Sequence, residues 1–101
     1  MGYRQNVSGR FLTAALPTAY RDRATVRGMD EHAALKQFAT NLRSHRHRAG
    51  LSQERLAFRA RIHRTEVSLL ERGAREPRLT TLLKLGRALG CPPTVLLDGI
   101  E

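Results

Sequence analysis

Arginine supplies most of the side chains in this sequence that are suited to recognising another molecule. Lysine and arginine together number 18 against nine acidic residues, a formal net charge of +9 at pH 7, and Lys36 and Lys84 are the only lysines. The planar guanidinium binds phosphates and guanine edges through paired hydrogen bonds that an ammonium cannot reproduce. The charge balance therefore favours a polyanionic partner, and nucleic acid fits best.

Residue patterns typical of catalysis and of metal binding do not occur in the sequence. There is no glycine-rich phosphate loop, nucleophile elbow or acid-base carboxylate pair, so we expect no enzyme and no cofactor. His45 and His47 are two residues apart, whereas helical zinc-binding pairs use three- or four-residue spacing, so we expect no metal.

The single cysteine, Cys91, fits a reducing, cytoplasmic location. No apolar run approaches the ~18 residues that span a bilayer, so we expect no membrane association.

Apolar residues recur at three- and four-residue steps from Glu31 onward, a period that is typical of amphipathic helices. Gly50, Gly73 and Gly90 follow three of these stretches, where glycine commonly ends a helix. We therefore expect an all-α fold, a compact bundle of five helices, the last a short one over 94–98. The predicted inward-facing residues are Leu35, Phe38, Ala39, Leu42, Ala49, Leu56, Ala57, Ala60, Val67, Leu70, Leu79, Leu82, Leu83, Leu85, Gly86 and Leu89.

Residues 1–30 differ in composition from the helical part at 31–101. They contain five arginines, two aspartates and one short apolar cluster over 11–16, which ends before Pro17. We interpret them as a basic, largely disordered arm. An organellar transit peptide is a weaker alternative, because the segment is poor in serine and is interrupted by Pro17 and Gly28.

The stretch from Leu51 to Gly73, followed by Pro77 and by Leu82–Gly90, resembles the phage-repressor-like (Cro/cI, XRE-type) helix-turn-helix family over about residues 38–98. The matching features include the opening Leu-Ser-Gln at 51–53, the Val-Ser at 67–68 and the Glu-Arg-Gly at 71–73. The resemblance implies a DNA-binding domain whose recognition helix, here about 63–72, lies in the major groove while the preceding helix crosses the backbone.

The outer face of that recognition helix would read the bases. With Val67 and Leu70 turned inward, the helical period leaves the predicted readers near the outer face. These predicted readers are Arg64, Thr65, Ser68 and Leu69. Arg64 is suited to guanine O6 and N7, and Thr65 or Leu69 to a thymine methyl. The alternative for Arg64 is a phosphate contact or a solvated side chain.

Other residues are expected to hold the DNA backbone or the fold. The predicted backbone contacts are Gln53, Arg43, Arg61, His63, Arg72 and Arg75, and for Gln53 the alternative is an exposed side chain without a partner. The resemblance also implies a structural salt bridge between Arg46 and Glu71. Two positions depart from the family pattern, since Arg61 replaces the usual turn glycine and His63 the usual serine or threonine cap. If the turn keeps a positive φ, Arg61 is strained.

Two classes of function remain open at this point. The first is a transcriptional regulator, a repressor by preference, that binds a palindromic operator as a homodimer. The second is an antitoxin-type interaction protein that masks a partner enzyme through the N-terminal arm and binds DNA for autoregulation. The arm would alternatively contact DNA itself. Phe38 and Phe58 fall within amphipathic helices, so we expect them in the core and not as base-stacking platforms.

Overall fold

The computed structural model describes residues 28–101, so the predicted basic arm lies almost entirely outside the described residues. The described residues form four α-helices, α1 (Glu31–Arg48), α2 (Gln53–Ala60), α3 (Arg64–Glu71) and α4 (Leu79–Leu89), and a 3-10 helix (Pro93–Leu97). This part of the chain contains no strand, and the all-α fold class is confirmed. The bundle has four α-helices and not the expected five. None of its helices has the length and apolar character needed to cross a membrane.

Short polar side chains begin the first two helices. Asp30 Oδ1 accepts a hydrogen bond from the amide of Ala33 at 2.7 Å, and Ser52 Oγ accepts one from the amide of Arg55 at 3.0 Å. Each bond satisfies an amide that the helix itself leaves without a partner. Gly50 has a φ of 72° directly after the C-cap of α1, which lets the chain turn sharply into α2. The angle between the two helices is therefore set by local sequence.

The core lies where all five helical segments meet. Its largest side chains are at most 2% exposed, and each contributes roughly 1.5–3 kcal/mol when it is taken out of water. These residues are Phe38, Leu42, Leu56, Val67, Leu70, Leu85 and Leu96. Because α3 supplies two of them, the same cluster that stabilises the domain also holds the predicted recognition helix in place.

The C-terminal segment is a 3-10 helix for identifiable reasons. It is only five residues long and begins at Pro93, which follows a second proline without a backbone N–H. Asn41 on α1 donates hydrogen bonds to the carbonyl oxygens of Leu96 at 2.9 Å and Asp98 at 2.8 Å. A Cβ at Gly86 would lie 2.9 Å from the carbonyl oxygen of Cys91, so the absence of a side chain there allows close packing on α4.

The prediction of buried residues on α4 was partly wrong. Leu85 and Gly86 are buried, but Leu79 is 74% exposed and Leu83 is 40% exposed. Leu83 follows Leu82, so it projects about 100° around the helix from the buried side. Leu79 is in the first turn, beyond the end of the packed surface. Ala49, expected on the inner side of α1, is its exposed C-cap.

Candidate nucleic-acid interface

Helix α3 carries the four residues that were predicted to read bases. Arg64 and Thr65 are exposed, whereas Ser68 and Leu69 are half-buried. The predicted readers therefore divide into two fully accessible residues in the first turn and two partly covered ones in the next. Val67 and Leu70 are both fully buried, and they fix which side of the helix faces outward.

His63 caps α3 in an unusual way. Its backbone has the extended conformation of an N-cap, and its Nδ1 accepts a hydrogen bond from the amide of Thr65 at 3.0 Å. The ring nitrogen thus takes the role of the serine or threonine oxygen that usually begins such a helix. Because Nδ1 is the acceptor, the proton of the neutral ring lies on Nε2. His63 was predicted to contact phosphate, and its ring also orders the first turn.

The buried carboxylate of Glu71, the last residue of α3, is a meeting point for three helices. Arg46 on α1 donates through Nε to Oε2 at 2.6 Å and through Nη2 to Oε1 at 2.9 Å. Gln53 at the start of α2 donates to the same Oε1 at 3.1 Å. Arg43 donates through Nη2 to the Glu71 carbonyl oxygen at 2.7 Å. The carboxylate therefore connects α1 and α2 to the end of α3.

The Arg46–Glu71 pair is well desolvated. The exposed fractions of the two side chains are 11% and 2%, and the third hydrogen bond of Arg46 reaches the carbonyl oxygen of Leu51 at 2.9 Å. The hydrogen bond to Glu71 raises the pKa of the Arg46 guanidinium, although burial alone acts in the opposite direction. Paired, bidentate geometry of this kind offsets the penalty of burying two charges.

Arg61 occupies the turn between α2 and α3 in a left-handed conformation, with φ 59° and ψ 43°. It is the one residue other than glycine with a positive φ in the part of the chain that the structure describes. Its amide donates to the Phe58 carbonyl, and the next amide, of Ile62, donates to the Ala57 carbonyl, a Schellman-type helix end. The family's turn geometry is thus kept without glycine, at a strain of about 1–2 kcal/mol. The Arg61 side chain is exposed.

The remaining predicted backbone contacts differ in how strongly they are held by the protein. Gln53 is half-buried and donates to the Glu71 carboxylate. Arg43 is more exposed and donates to the backbone carbonyl oxygen of Glu71. Arg75 forms an exposed ion pair with Glu66 at 2.7 Å. Arg72 is exposed, and its Nε lies 3.4 Å from the carbonyl oxygen of Ser68. These bonds direct the guanidinium groups before any ligand is bound.

Sequence reasoning missed a polar cleft of about 500 Å³ beside the start of α3. Its lining includes Arg78, Thr80 and Lys84 together with the predicted residues His63 and Arg75. Helix α4 begins here without a side-chain cap, so amides of its first turn are available to an acceptor. The lining also carries two carboxylates, Glu76 and Glu66, and Glu66 is paired with Arg75. The three cationic side chains exceed them by one charge, and together with the amides at the helix start this positive excess suits a phosphate group. The uncapped Pro-Arg-Leu-Thr-Thr at 77–81 is the sequence signal that would have revealed it.

Phe58 corrects another prediction. It was expected in the core, but its exposed fraction is 79%. The buried residues of α2 are Leu56, Ala57 and Ala60, and Phe58 lies on the opposite side of this short helix. Phe38, by contrast, is 2% exposed, as expected.

The other reactive groups of residues 28–101 are ordinary. Within this range no three His, Cys, Asp or Glu side chains are grouped so that they could hold a metal ion. Cys91 is half-buried, and burial raises the pKa of its thiol, which lowers the thiolate fraction at neutral pH. The side chains with unusual environments are therefore those around Glu71.

The geometry of α2, the turn at Arg61 and α3 is that of a helix-turn-helix. Residues 42–96, more than half of the chain, match the family model described as helix-turn-helix. The chain therefore belongs to this family of DNA-binding transcription regulators, and the resemblance seen in the sequence is confirmed.

Several characterised proteins are similar to the chain within that family. The control protein C.BamHI of Bacillus amyloliquefaciens is 45% identical over 51 residues, 50% of this chain and 63% of that protein, so the match spans less than two thirds of the relative. The restriction-modification controller protein C.AhdI of Aeromonas hydrophila superposes with a TM-score of 0.62 and 44% identity, covering 63% of this chain and 97% of that one. The DNA-binding domain of the P22 c2 repressor superposes with a TM-score of 0.58 and 31% sequence identity, covering 61% of this chain and 82% of that domain.

Proposed function

We propose that the chain is a sequence-specific transcriptional regulator that binds double-stranded DNA as a homodimer on a palindromic operator, with α3 in the major groove. The observation that carries this proposal is the fixed position of α3. Its inner side is buried, its C-terminal end is bonded to α1 and α2 through Glu71, and its first turn, with Arg64 and Thr65, is exposed. A rigid helix with an accessible polar first turn suits base recognition.

Base readout is assigned to the four predicted residues of α3. Arg64 is exposed and has no recorded ion-pair partner among residues 28–101, so its guanidinium is available for guanine O6 and N7. Thr65 and Leu69 offer methyl groups to thymine, and Ser68 offers a hydroxyl group. The operator half-site should therefore contain a G·C base pair opposite the start of α3.

Phosphate contacts are assigned around this helix. The proposed residues are Gln53, Arg43, Arg61, His63, Arg72 and Arg75, to which the cleft at the start of α4 adds Arg78, Thr80 and Lys84. Gln53 and Arg43 are oriented by Glu71, and Arg75 by Glu66. Each neutralised phosphate releases counterions and lowers the slope of log K against log salt by about 0.9. Loss of one exposed arginine in this group should therefore make this slope less negative by about 0.9.

Homodimerisation is assigned to the end of α4 and the 3-10 helix. Leu83, in the middle of α4, is 40% exposed and lines a shallow depression of about 330 Å³ that continues past Arg87 to Cys91 and Pro92. To bind half-sites one helical turn apart, such a dimer has to hold its two α3 helices about 34 Å apart. A cytoplasmic location, in contact with genomic DNA, belongs to the same proposal.

The likeness to C.BamHI and C.AhdI extends the proposal to the regulated genes. Both relatives are named as control or controller proteins, and the second specifically of a restriction-modification system. We propose the same role for this chain, control of the expression of restriction-modification genes. The role requires binding and no catalysis.

Selection of bound sequences from random DNA tests the function. The expected result is a palindrome with a G·C base pair in each half-site. Binding that depends on salt but not on sequence would contradict the proposal and would favour the antitoxin-type alternative, whose arm lies outside the described residues.

Arg64→Ala then tests the assigned reader on all four variants of that base pair. Discrimination at this position should fall by about 1–3 kcal/mol, roughly 5- to 150-fold, with little change elsewhere in the site. Arg48→Ala removes the same charge from the end of α1 and is the matched control, because Arg48 bonds only weakly to Ser44 Oγ at 3.5 Å. Uniform weakening by Arg64→Ala would assign it to a phosphate instead.

A further inference from the structure

An apolar groove lies between the first half of α1, the segment before α4 and the C-terminal residues. It has a volume of about 240 Å³, and its lining includes Leu35, Phe38, Pro77, Leu82, Leu97 and Ile100. Leu97 is 40% exposed, so part of this apolar surface faces solvent in the described residues. Glu76 is the one charged residue in the lining. The groove suits a small apolar group with a cation beside it.

The chain enters the described domain at the edge of this groove. The amide of Met29 donates to the carbonyl oxygen of Glu101 at 3.0 Å, and Gly28 lies against the same carbonyl. Glu101 directly follows Ile100, which lines the groove. Residues before Gly28 therefore start next to the exposed apolar surface and need no long path to reach it.

The residues before Gly28 contain one segment whose chemistry fits. Five of the six residues at 11–16 (Phe-Leu-Thr-Ala-Ala-Leu) are apolar, and Arg10 precedes them directly. Gly28 lies 12 residues after Leu16, and this stretch spans up to ~40 Å when extended, more than enough to return to the groove. We propose that the segment 11–16 docks in the groove of its own chain, with Phe11 and Leu12 beside Leu97 and Ile100 and with Arg10 near Glu76.

Attachment to the same chain makes a weak contact sufficient. A short tether holds a segment near its site at an effective concentration of about 1 mM. An intrinsic dissociation constant of about 0.1 mM would then leave roughly 90% of the chains docked. Docking covers the exposed side of Leu97 and protects the peptide bond between Arg10 and Phe11.

Limited trypsin cleavage of the full chain tests the proposal. Cleavage after Arg10, measured relative to cleavage after Arg4, reports the undocked fraction, because a docked bond must open before it is cut. Leu97→Arg places a charge in the groove and should accelerate cleavage after Arg10 about tenfold. Leu79→Arg is the matched control, since Leu79 is 74% exposed and lies outside the groove lining, and it should leave the rate unchanged. Equal rates in all three proteins would overturn the proposal.

Two further measurements distinguish docking of the chain's own segment 11–16 in the groove from docking of the same segment of a second copy. Protection that persists through a hundredfold dilution supports docking within one chain, whereas protection that fades on dilution indicates a second copy and overturns the proposal. In the unmodified chain, nuclear Overhauser contacts between the Phe11 ring and the Leu97 methyl groups are expected. Their absence overturns the proposal independently of how the variants fold.

Discussion

Replacing Arg46 by alanine should strongly destabilise the domain. The substitution removes both hydrogen bonds to Glu71 and the bond to the Leu51 carbonyl, and it leaves a carboxylate that is 2% exposed without its main counter-charge. Breaking a buried pair from one side costs about 3–5 kcal/mol. Gln53 still donates to Oε1, and Arg43 Nε lies 3.9 Å from it, so the lower end of that range is expected.

Thermal and urea unfolding of the full chain measure this loss. About 3 kcal/mol corresponds to a fall in Tm of roughly 12–24 °C for a domain of this size. Arg75→Ala is the matched control, because it breaks an equally short but exposed pair with Glu66, worth about 0–1 kcal/mol. Combining Arg46→Met with Glu71→Met should recover much of the loss, since no charge is then left buried. An Arg46→Ala protein that melts within 3 °C of the unmodified one would refute the reasoning.

Three further outcomes are expected. Arg61→Gly relieves the left-handed strain and should stabilise the domain by about 0.5–1 kcal/mol, whereas Arg59→Gly inside α2 should destabilise it by about 1 kcal/mol, both measured by urea unfolding. Gly86→Ala places a Cβ 2.9 Å from the Cys91 carbonyl oxygen and should lower stability by about 1–3 kcal/mol, while exposed Lys84→Ala on the same helix changes it by less than about 0.5. Because burial raises the pKa of the Cys91 thiol, the rate of its alkylation should be lower than that of a free cysteine at the same pH. As the pH is raised, this rate should continue to increase above the ordinary pKa of a thiol. Equal rates for Cys91 and free cysteine would contradict the assigned environment.

The features that sequence predicted well are those set by neighbouring residues. Helix periods and the inward positions of Val67 and Leu70 depend on spacings of three or four residues, which the sequence displays directly. Phe58 shows where this reasoning fails. A short helix of eight residues has room for few buried positions, and which side is covered depends on how the other helices pack against it.

The network around Glu71 could be predicted only in part. The family resemblance implied the partnership with Arg46, but the bonds from Gln53 and Arg43 join residues 18 and 28 positions apart. Such contacts follow from how three helices pack and leave no local pattern in the sequence. The cleft at the start of α4 was missed for the same reason, because His63 and Lys84 approach it from different elements.

The attachment of α3 at its two ends has a consequence for how binding specificity can diverge. The His63 ring orders the first turn, and Glu71 joins the last turn to α1 and α2, so neither support uses Arg64, Thr65 or Ser68 side chains. The exposed residues between His63 and Glu71 can therefore be substituted while the position of α3 stays fixed. If α3 reads bases as proposed, a new operator preference needs only a few exchanges on one helical face, and the same scaffold suits many DNA sequences.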